Sequence, residues 1–297
     1  MKLATYKDGS RDGQLVVVSR DLSTAHYATG IANTLQQALD DWNFIAPQLQ
    51  DLYVTLNQGK ARHAFPFDAC MCMAPLPRAH QRFGALAYRA HAEQAWPQRQ
   101  GPAVHPAAGE MLGAQDDFVT AHEEWGIAAG PGVAVVTGDL PMGTPSEAAL
   151  ERVRLVMLAN DWTLPALAKT EVEAGLGLCQ GQAATAFGPV AVTLDELGEA
   201  WRDGALQLSL RVACNDRKLT AVDAGDMRWH FGQLLAQACR TQALSAGAVV
   251  GSGPVSWVEG AMPLSHLKWG DTVRIEVTGR DGQGLFGAIA QGVAPAA

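Results

Sequence analysis

Cysteine is scarce in this sequence and shows no pairing pattern. The chain has 297 residues and five cysteines, an odd number, and none of them forms a CxxC pair. They are Cys70, Cys72, Cys179, Cys214 and Cys239. Because disulfide frameworks and structural zinc sites both need cysteines at paired spacings, neither is expected.

Long apolar runs and basic clusters are also missing. No stretch of about 18 apolar residues is present, so no membrane span is expected. The first residues, MKLATYKDGSRDGQLVVV, lack the apolar core of a signal peptide. The formal net charge is −8, and no Lys/Arg cluster interrupts this acidic balance. These absences predict a cytoplasmic protein whose partners are neither nucleic acids nor membranes.

The composition that remains suits a compact, folded chain. Hydrophobic residues make up 48% of the sequence and charged residues 18%. These proportions exclude wholesale disorder. The length allows one large domain or two, with a well-buried core.

One segment has the residue spacing of helices. In residues 34–59, apolar side chains recur at intervals of three and four residues, which is typical of amphipathic helices. Thr34 is expected to cap the start of this segment, and Gly59 is expected to end it. Pro47 is expected to divide it into two helices.

Short apolar runs bounded by glycine and proline dominate the rest of the chain, among them VAVVTGD, RVRLVMLAND and DTVRIEV. They do not alternate regularly with helices, so we predict an α+β fold with a largely antiparallel sheet. Residues 97–115, rich in Pro, Gly and Ala, are expected to form a surface loop. A proline-punctuated segment predicts a domain boundary between residues 1–75 and 76–297.

Several stretches, in their order along the chain, resemble the fumarylacetoacetate hydrolase family and in particular its bacterial two-domain members. They include KLATYKDGSRDGQLVVVSRD, AFPFDACMCMAPLPRAHQ, VAVVTGDLPMG, RLVMLANDWTL, TAFGPVAVTLDELGEAWRDG, GAVVGSGPVS and GDTVRIEV. The resemblance implies a small N-terminal β-containing domain, a C-terminal mixed β-sandwich roll and a homodimer. It also implies a Mg²⁺, Mn²⁺ or Ca²⁺ ion in a carboxylate cage. That ion holds a diketo acid for carbon–carbon hydrolysis, decarboxylation or isomerisation.

Three of the four carboxylates that the resemblance implies for this cage are absent. Gly84 stands where an Asp is expected, seven residues before His91. Gly130 and Gly132 stand where a Glu-x-Glu pair is expected, whereas the fourth ligand is retained as Asp161 in the motif NDW. One carboxylate cannot hold a hard divalent ion that takes six or more oxygen ligands. We therefore expect no metal cofactor.

Other positions of the implied site differ as well. Gln182 stands where the resemblance implies a Lys that steadies developing charge, and Pro254 where it implies a Thr that binds the substrate carboxylate. The segment after Trp257 is shorter than in the family. His91 and Asp161 are therefore our candidates for metal-independent acid/base catalysis. We expect the substrate pocket to be lined by Tyr88, Gly130, Gly132, Trp162, Gln182, Gly253 and Pro254.

Three functions stay open at this stage. The protein is a metal-independent enzyme acting on a small carbonyl-bearing or diketo-acid-like molecule, or it is a non-catalytic protein that keeps the dimer and a small-molecule cleft. In the third alternative, metal-dependent hydrolysis of acylpyruvate-type substrates persists through substitute acidic ligands. The candidates for such ligands are Glu110, Asp116, Asp117, Glu123 and Glu124.

Overall fold

The computed structural model describes residues 1–89, 100–218, 222–255, 264–279 and 282–296. The strands within these ranges are β1 Lys2–Tyr6, β2 Gln14–Val18, β3 Thr24–Tyr27, β4 Phe65–Pro66, β5 Arg82–Ala85, β6 Val104–Pro106, β7 Glu110–Leu112, β8 Phe118–Thr120, β9 Ala128–Thr137, β10 Val153–Thr163, β11 Gln182–Phe187, β12 Ala191–Thr193, β13 Trp201–Arg202, β14 Ala205–Leu206, β15 Ser209–Cys214, β16 Arg217–Lys218, β17 Val222–Asp223, β18 Val249–Gly251, β19 Thr272–Thr278 and β20 Gly284–Pro295. The α-helices are α1 Leu35–Asp40, α2 Trp42–Asn57, α3 Ser146–Leu150, α4 Pro165–Glu173, α5 Leu194–Leu197 and α6 Phe231–Ala238.

A twelve-stranded sheet forms the centre of the described part of the chain. Its order is β4-β3-β2-β1-β12-β10-β9-β18-β5-β6, with β11 beside β10 and β7 beside β11. A second sheet has the order β16-β15-β19-β20-β8, with β17 beside β15. The pairs β7–β11, β5–β18 and β8–β20 are parallel, and the other pairings of described strands are antiparallel. The predicted α+β fold with a largely antiparallel sheet is confirmed.

Both faces of the large sheet are covered at β9 and β10. Alternate residues of β9 belong to different apolar clusters: Val133 and Val135 pack on one face, and Ala134 and Val136 on the other. One cluster includes Ile275 and its neighbours from the second sheet, and the other includes apolar residues of α1 and α2. A strand that is covered on both faces needs apolar side chains along most of its length. This requirement explains the continuous hydrophobic runs in the sequences of β9 and β10.

The N-terminal segment joins the rest of the chain through this sheet. Strand β1 pairs with β12, with Lys2 opposite Val192, so β1 to β4 extend one edge of the sheet. Leu3 and Leu49 from this segment share an apolar cluster with Leu155 of β10. A chain division near residue 75 therefore separates two segments that share one sheet and one apolar cluster.

The ends of the predicted helical segment are confirmed. The Thr34 side chain caps α1 by accepting a hydrogen bond from the Gln37 N–H at 3.2 Å. Gly59 adopts a φ of +66° just after α2, and its N–H donates to the Leu56 carbonyl at 3.0 Å. Glycine tolerates this left-handed conformation without a steric penalty, which closes the helix.

The predicted break at Pro47 is wrong. Pro47 lies inside α2, and the helices divide at Asp41 instead, where φ is −132° and ψ is 50°. A proline inside a helix removes one backbone hydrogen bond. The helix nevertheless continues because its apolar stripe is buried against the sheet, which stabilises helices more than local propensity does. The buried residues of α2 are Ile45, Leu49, Tyr53 and Leu56.

The surface loop predicted for residues 97–115 is also wrong for its described part, which contains β6 and β7. Strand β6 pairs with β5, and β7 pairs with β11. Short edge strands of this kind tolerate Pro and Gly because one side of their backbone needs no partner strand. In the described ranges, no helix is both long enough and apolar enough to cross a bilayer.

Candidate functional site

A small cavity lies beside Asp161, between β5, β9, β10, β11 and β18. Its volume is about 20 Å³, which is room for a water molecule or two. The ionisable and hydrogen-bonding side chains in its lining belong to Arg82, Asp161, Gln182 and Thr185, and glycines make up much of the remainder. Four glycines and seven apolar residues complete the lining, so the cavity is polar around Asp161 and apolar elsewhere.

The Asp161 carboxylate is held by two neighbouring side chains. Thr185 lies directly opposite Asp161 in the β10–β11 pairing, and its hydroxyl donates to Oδ1 at 2.8 Å. The Gln182 amide donates to the same oxygen at 3.2 Å. Burial raises the pKa of Asp161, against the lowering effects of the Thr185 hydrogen bond and the positive charge of His105. The carboxyl group thus keeps its proton to a higher pH than an ordinary aspartate.

A β-bulge turns Gln182 toward Asp161. The register of β10 with β11 shifts between Trp162 and Thr163, and such a shift re-aims the side chains that follow it. The loop before Gln182 is held by Glu171, whose carboxylate accepts hydrogen bonds from three consecutive backbone N–H groups at 3.1, 2.8 and 2.8 Å. These bonds lower the pKa of Glu171. The donors are the N–H groups of Cys179, Gln180 and Gly181.

The His105 ring fills the space in front of Gly84. These two residues face each other in the β5–β6 pairing, and a Cβ added to Gly84 would lie 2.7 Å from His105 Nε2. His105 Nε2 lies 3.1 Å from Gln182 Oε1. A hydrogen-bonded chain therefore runs from His105 through Gln182 to Asp161. It passes through the place where the resemblance implies an Asp ligand.

Arg82 adds a second basic group to the site. Its guanidinium donates to the Gly109 carbonyl. Burial lowers the pKa of Arg82, whereas the charge of Asp161 raises it. Asp161 thus has two basic neighbours, Arg82 in the cavity lining and His105 behind Gln182.

Backbone closes the space in front of Gly132. A Cβ on Gly132 would lie 2.4 Å from the carbonyl oxygen of Gly253, and one on Gly130 would lie 3.2 Å from the Asp161 carbonyl oxygen and from Pro254 Cβ. The turn is fixed in this place because the Ser252 N–H donates to the Val133 carbonyl at 2.8 Å. A side chain at residue 132 therefore requires a backbone shift.

The donor set does not fit a hard divalent ion. Such ions take six or more oxygen ligands and prefer carboxylates, whereas Asp161 is the one carboxylate in the cavity lining. Among the residues that the structure describes, no three or more His, Cys, Asp or Glu side chains come together as metal ligands. The basic side chains beside Asp161 also oppose the entry of a cation.

The acidic residues considered as substitute ligands lie outside the cavity lining. Asp116 forms an ion pair with Lys7 at 2.8 Å, and Glu123 accepts a hydrogen bond from the Trp269 N–H at 2.6 Å. Glu124 pairs with His122 at 3.1 Å. The remaining two are Glu110 and Asp117, and the second accepts a hydrogen bond from the Gly292 N–H.

The structure gathers some of the expected pocket residues and separates others. Gly132, Gln182 and Gly253 line the cavity together with Asp161. Gly130 and Pro254 contact each other without entering the lining. His91, like Trp257, lies outside the described residues.

Trp162 and Tyr88 lie away from the cavity. Trp162 points to the opposite face of β10 from Asp161, where its indole N–H donates to Gln291 Oε1 at 2.9 Å. Its ring stacks on Phe118 with centroids 4.8 Å apart. Tyr88 is fully buried, and its hydroxyl donates to the Ala224 carbonyl at 3.2 Å. Both aromatic side chains therefore stabilise the interior.

Sequence reasoning missed Arg82, His105 and Thr185. Thr185 becomes visible once β10 and β11 are paired, since it then stands opposite Asp161. His105 is 77 residues from Gln182 in the sequence, and it reaches the site only through the β5–β6 pairing. No local pattern marks Arg82 or His105.

We predict that Gly132→Ala destabilises the fold by about 1–3 kcal/mol, because the new methyl group collides with the Gly253 carbonyl. Gly251→Ala is the matched control on the neighbouring strand. Its Cβ would lie 3.7 Å from the Phe83 carbonyl oxygen, which is an ordinary contact distance. We expect the control to change stability by less than about 1 kcal/mol. Urea unfolding of both variants measures the difference. Equal losses would contradict the closed space at residue 132.

We predict that Glu171→Gln lowers stability at neutral pH, because it removes the charge that binds three backbone N–H groups. The folded-state pKa of Glu171 lies below its ordinary value of 4.5. Its contribution is therefore present above that value and disappears as the pH falls through the lowered pKa. Urea unfolding of both proteins over a pH series measures this convergence.

Glu173→Gln is the control for that experiment. Glu173 lies on the same helix but is exposed, with its carboxylate 3.8 Å from the Lys169 ammonium. Its substitution should have little effect at any pH. A Glu171→Gln deficit that stays constant from neutral to acid pH would refute the charge argument.

Two family models match the sequence. One, described as Fumarylacetoacetase N-terminal domain 2, matches residues 1–78. The other, described as Fumarylacetoacetate (FAA) hydrolase C-terminal, matches residues 83–294. No curated protein is similar enough in sequence to match.

Solved structures share the fold over their whole length. They include a maleylpyruvate hydrolase from Sphingobium sp. SYK-6 in complex with manganese(II) and pyruvate, with 18% identity and a TM-score of 0.69. A fumarylacetoacetate hydrolase from Exiguobacterium antarcticum has 17% identity and a TM-score of 0.72. A 5-carboxymethyl-2-hydroxymuconate delta-isomerase from Mycobacterium smegmatis has 18% identity and a TM-score of 0.66. Each match covers 100% of both chains. Since the second family model spans more than half of the sequence, the chain belongs to the fumarylacetoacetate hydrolase family.

Proposed function

We propose that this protein is a non-catalytic member of its family, in which the inherited metal centre has become a closed network of hydrogen bonds. The observation that carries this proposal is the position of the Gly253 carbonyl, 2.4 Å from where a Cβ of residue 132 would lie. Backbone thus occupies a place that the resemblance assigns to a ligand side chain. Restoring a carboxylate there requires the turn to move.

The electrostatics support the same conclusion. A metal cage places several carboxylates around one cation, and their repulsion is relieved only when the ion binds. Here Asp161 already has Thr185, Gln182 and the nearby charge of His105 and Arg82 as partners. The Asp161 carboxylate therefore has hydrogen-bond donors and basic neighbours from the protein itself, without a bound ion.

The size of the cavity argues against the substrates named for the relatives. Maleylpyruvate and similar diketo acids are many times larger than the water molecule or two that about 20 Å³ admits. The family fold is that of hydrolases and isomerases, and the names of the similar structures indicate acylpyruvate-like substrates. We infer that this chain keeps that fold without that reaction. The family homodimer remains part of the proposal.

We predict that the protein binds no Mn²⁺ at millimolar concentration, because the cavity supplies one carboxylate. Titration calorimetry with MnCl₂ measures binding, and an acylpyruvate hydrolysis assay with and without EDTA measures the reaction. The manganese-binding maleylpyruvate hydrolase is the positive control in both. Stoichiometric Mn²⁺ binding with EDTA-sensitive hydrolysis would overturn the proposal and restore the metal-dependent alternative.

One observation favours a second candidate, a metal-independent enzyme acting on a small carbonyl compound. Asp161 lines the cavity and burial raises its pKa, which is the usual preparation of a carboxyl group for acid/base catalysis. Such an enzyme needs a cavity that opens wider on binding its substrate.

This second candidate predicts an EDTA-resistant activity that Asp161→Asn abolishes and Glu173→Gln preserves. Thr185→Val should shift the pH profile of that activity to higher pH, because the Thr185 hydrogen bond lowers the pKa of Asp161. A screen of small carbonyl compounds with the wild-type protein provides the activity, and a His91→Ala variant tests the other sequence candidate. An activity that survives Asp161→Asn would eliminate this mechanism.

A further inference from the structure

A second concave site lies on the surface between α2 and the first residues of β10. Its volume is about 500 Å³, which is within the range of sites that take small organic ligands. None of its lining residues lines the cavity at Asp161. We call it the Arg154 groove. Its apolar wall is formed by Trp42, Ala46, Pro47, Val153 and Leu194.

Arg154 is a partly buried cation with no anion beside it. Its Nε atom is buried and has no hydrogen-bond partner, and its guanidinium forms no ion pair within the described ranges. Burial lowers the pKa of Arg154, and the like charge of Arg152 lowers it further. An unsatisfied buried donor of this kind is costly for the protein.

Other arginines of the chain contrast with Arg154. Arg20 pairs with Glu196 at 2.9 Å, and Arg274 pairs with Glu276 at 3.0 Å. Arg154 is instead accommodated against Gly138, whose added Cβ would lie 3.1 Å from Arg154 Nε. The absence of a side chain at residue 138 leaves room for the guanidinium beside the backbone there.

The remaining groups around the groove limit the ligand's charge and shape. Asp195 contributes a carboxylate to the lining, and its side chain is 67% exposed. It lies 3.9 Å from the Met1 ammonium, which also lines the groove, so these two charges offset each other and the charge of Arg154 is left to match one negative charge on a ligand. The Trp42 indole, with Pro47 one and a half helical turns further along α2, provides apolar surface for a planar group.

We propose that the Arg154 groove binds an organic monocarboxylate with a planar apolar body. The carboxylate accepts hydrogen bonds from the Arg154 guanidinium, for which its two oxygens are the matching acceptor. The apolar body lies against Trp42. This site is independent of the proposed fate of the metal centre.

The test uses benzoate as the probe and benzamide, its neutral analogue of equal shape, as the matched ligand. We expect benzoate to bind the wild-type protein in titration calorimetry at least about tenfold more tightly than benzamide, since a charge-assisted hydrogen bond is lost in the amide. Added salt should weaken benzoate binding. Absence of benzoate binding, or equal binding of both ligands, would overturn the proposal.

Two variants locate the binding. Arg154→Gln should weaken benzoate binding by about ten- to a hundredfold, whereas Arg152→Gln makes the same charge change outside the groove lining and should alter it by less than about threefold. An equal loss in both variants would contradict the proposal. If Arg154→Gln does not fold, the amide chemical-shift changes that benzoate causes in the wild-type protein decide the question. Changes centred on residues 42–50, 153–154 and 193–195, which line the groove, support the proposal, and changes centred elsewhere refute it.

Discussion

The antiparallel pairing of β9 with β10 determines where Asp161 lies relative to the glycines of the candidate site. It places Asp161 opposite Gly130 and Ala159 opposite Gly132. Because side chains alternate along a strand, a shift of one residue would turn Asp161 to the face that Trp162 occupies. Such a shift would move the side chains at all ten paired positions to the opposite face of the sheet. Because apolar clusters cover both faces of these strands, burial opposes the shift.

Glycine on β9 also determines how closely other segments can approach this strand. A strand without side chains at residues 130 and 132 lets another backbone segment approach closely. The turn at Ser252 and Gly253 takes this space and is held there by backbone hydrogen bonds to β9. The site is therefore closed by the main chain. This closure is harder to reverse than the replacement of one side chain by another.

The charges around Asp161 differ from those that the resemblance implies. The resemblance implies a cage of carboxylates balanced by a bound cation. Among the described residues, Asp161 is the one carboxylate in the cavity lining, and the neighbouring His105 and Arg82 side chains lower its pKa. The internal network satisfies its own hydrogen bonds, whereas Arg154, on a different surface, has no acceptor of its own. The two basic sites thus differ in whether the protein itself supplies the anion.

The sequence by itself determined the family, the α+β class, the caps of the first helical segment and the presence of glycine at residues 84, 130 and 132, where the resemblance implies acidic residues. Each of these depends on residue types read in order along the chain. The tertiary structure alone decided which side chains lie beside Asp161. His105 and Gln182 meet across 77 residues of sequence, a β-bulge aims Gln182, and strand alternation sends Trp162 away from the site. It also decided that Pro47 stays within a helix, because burial against the sheet outweighs the local preference of proline. These outcomes depend on strand pairing and packing between distant segments, which no local pattern encodes.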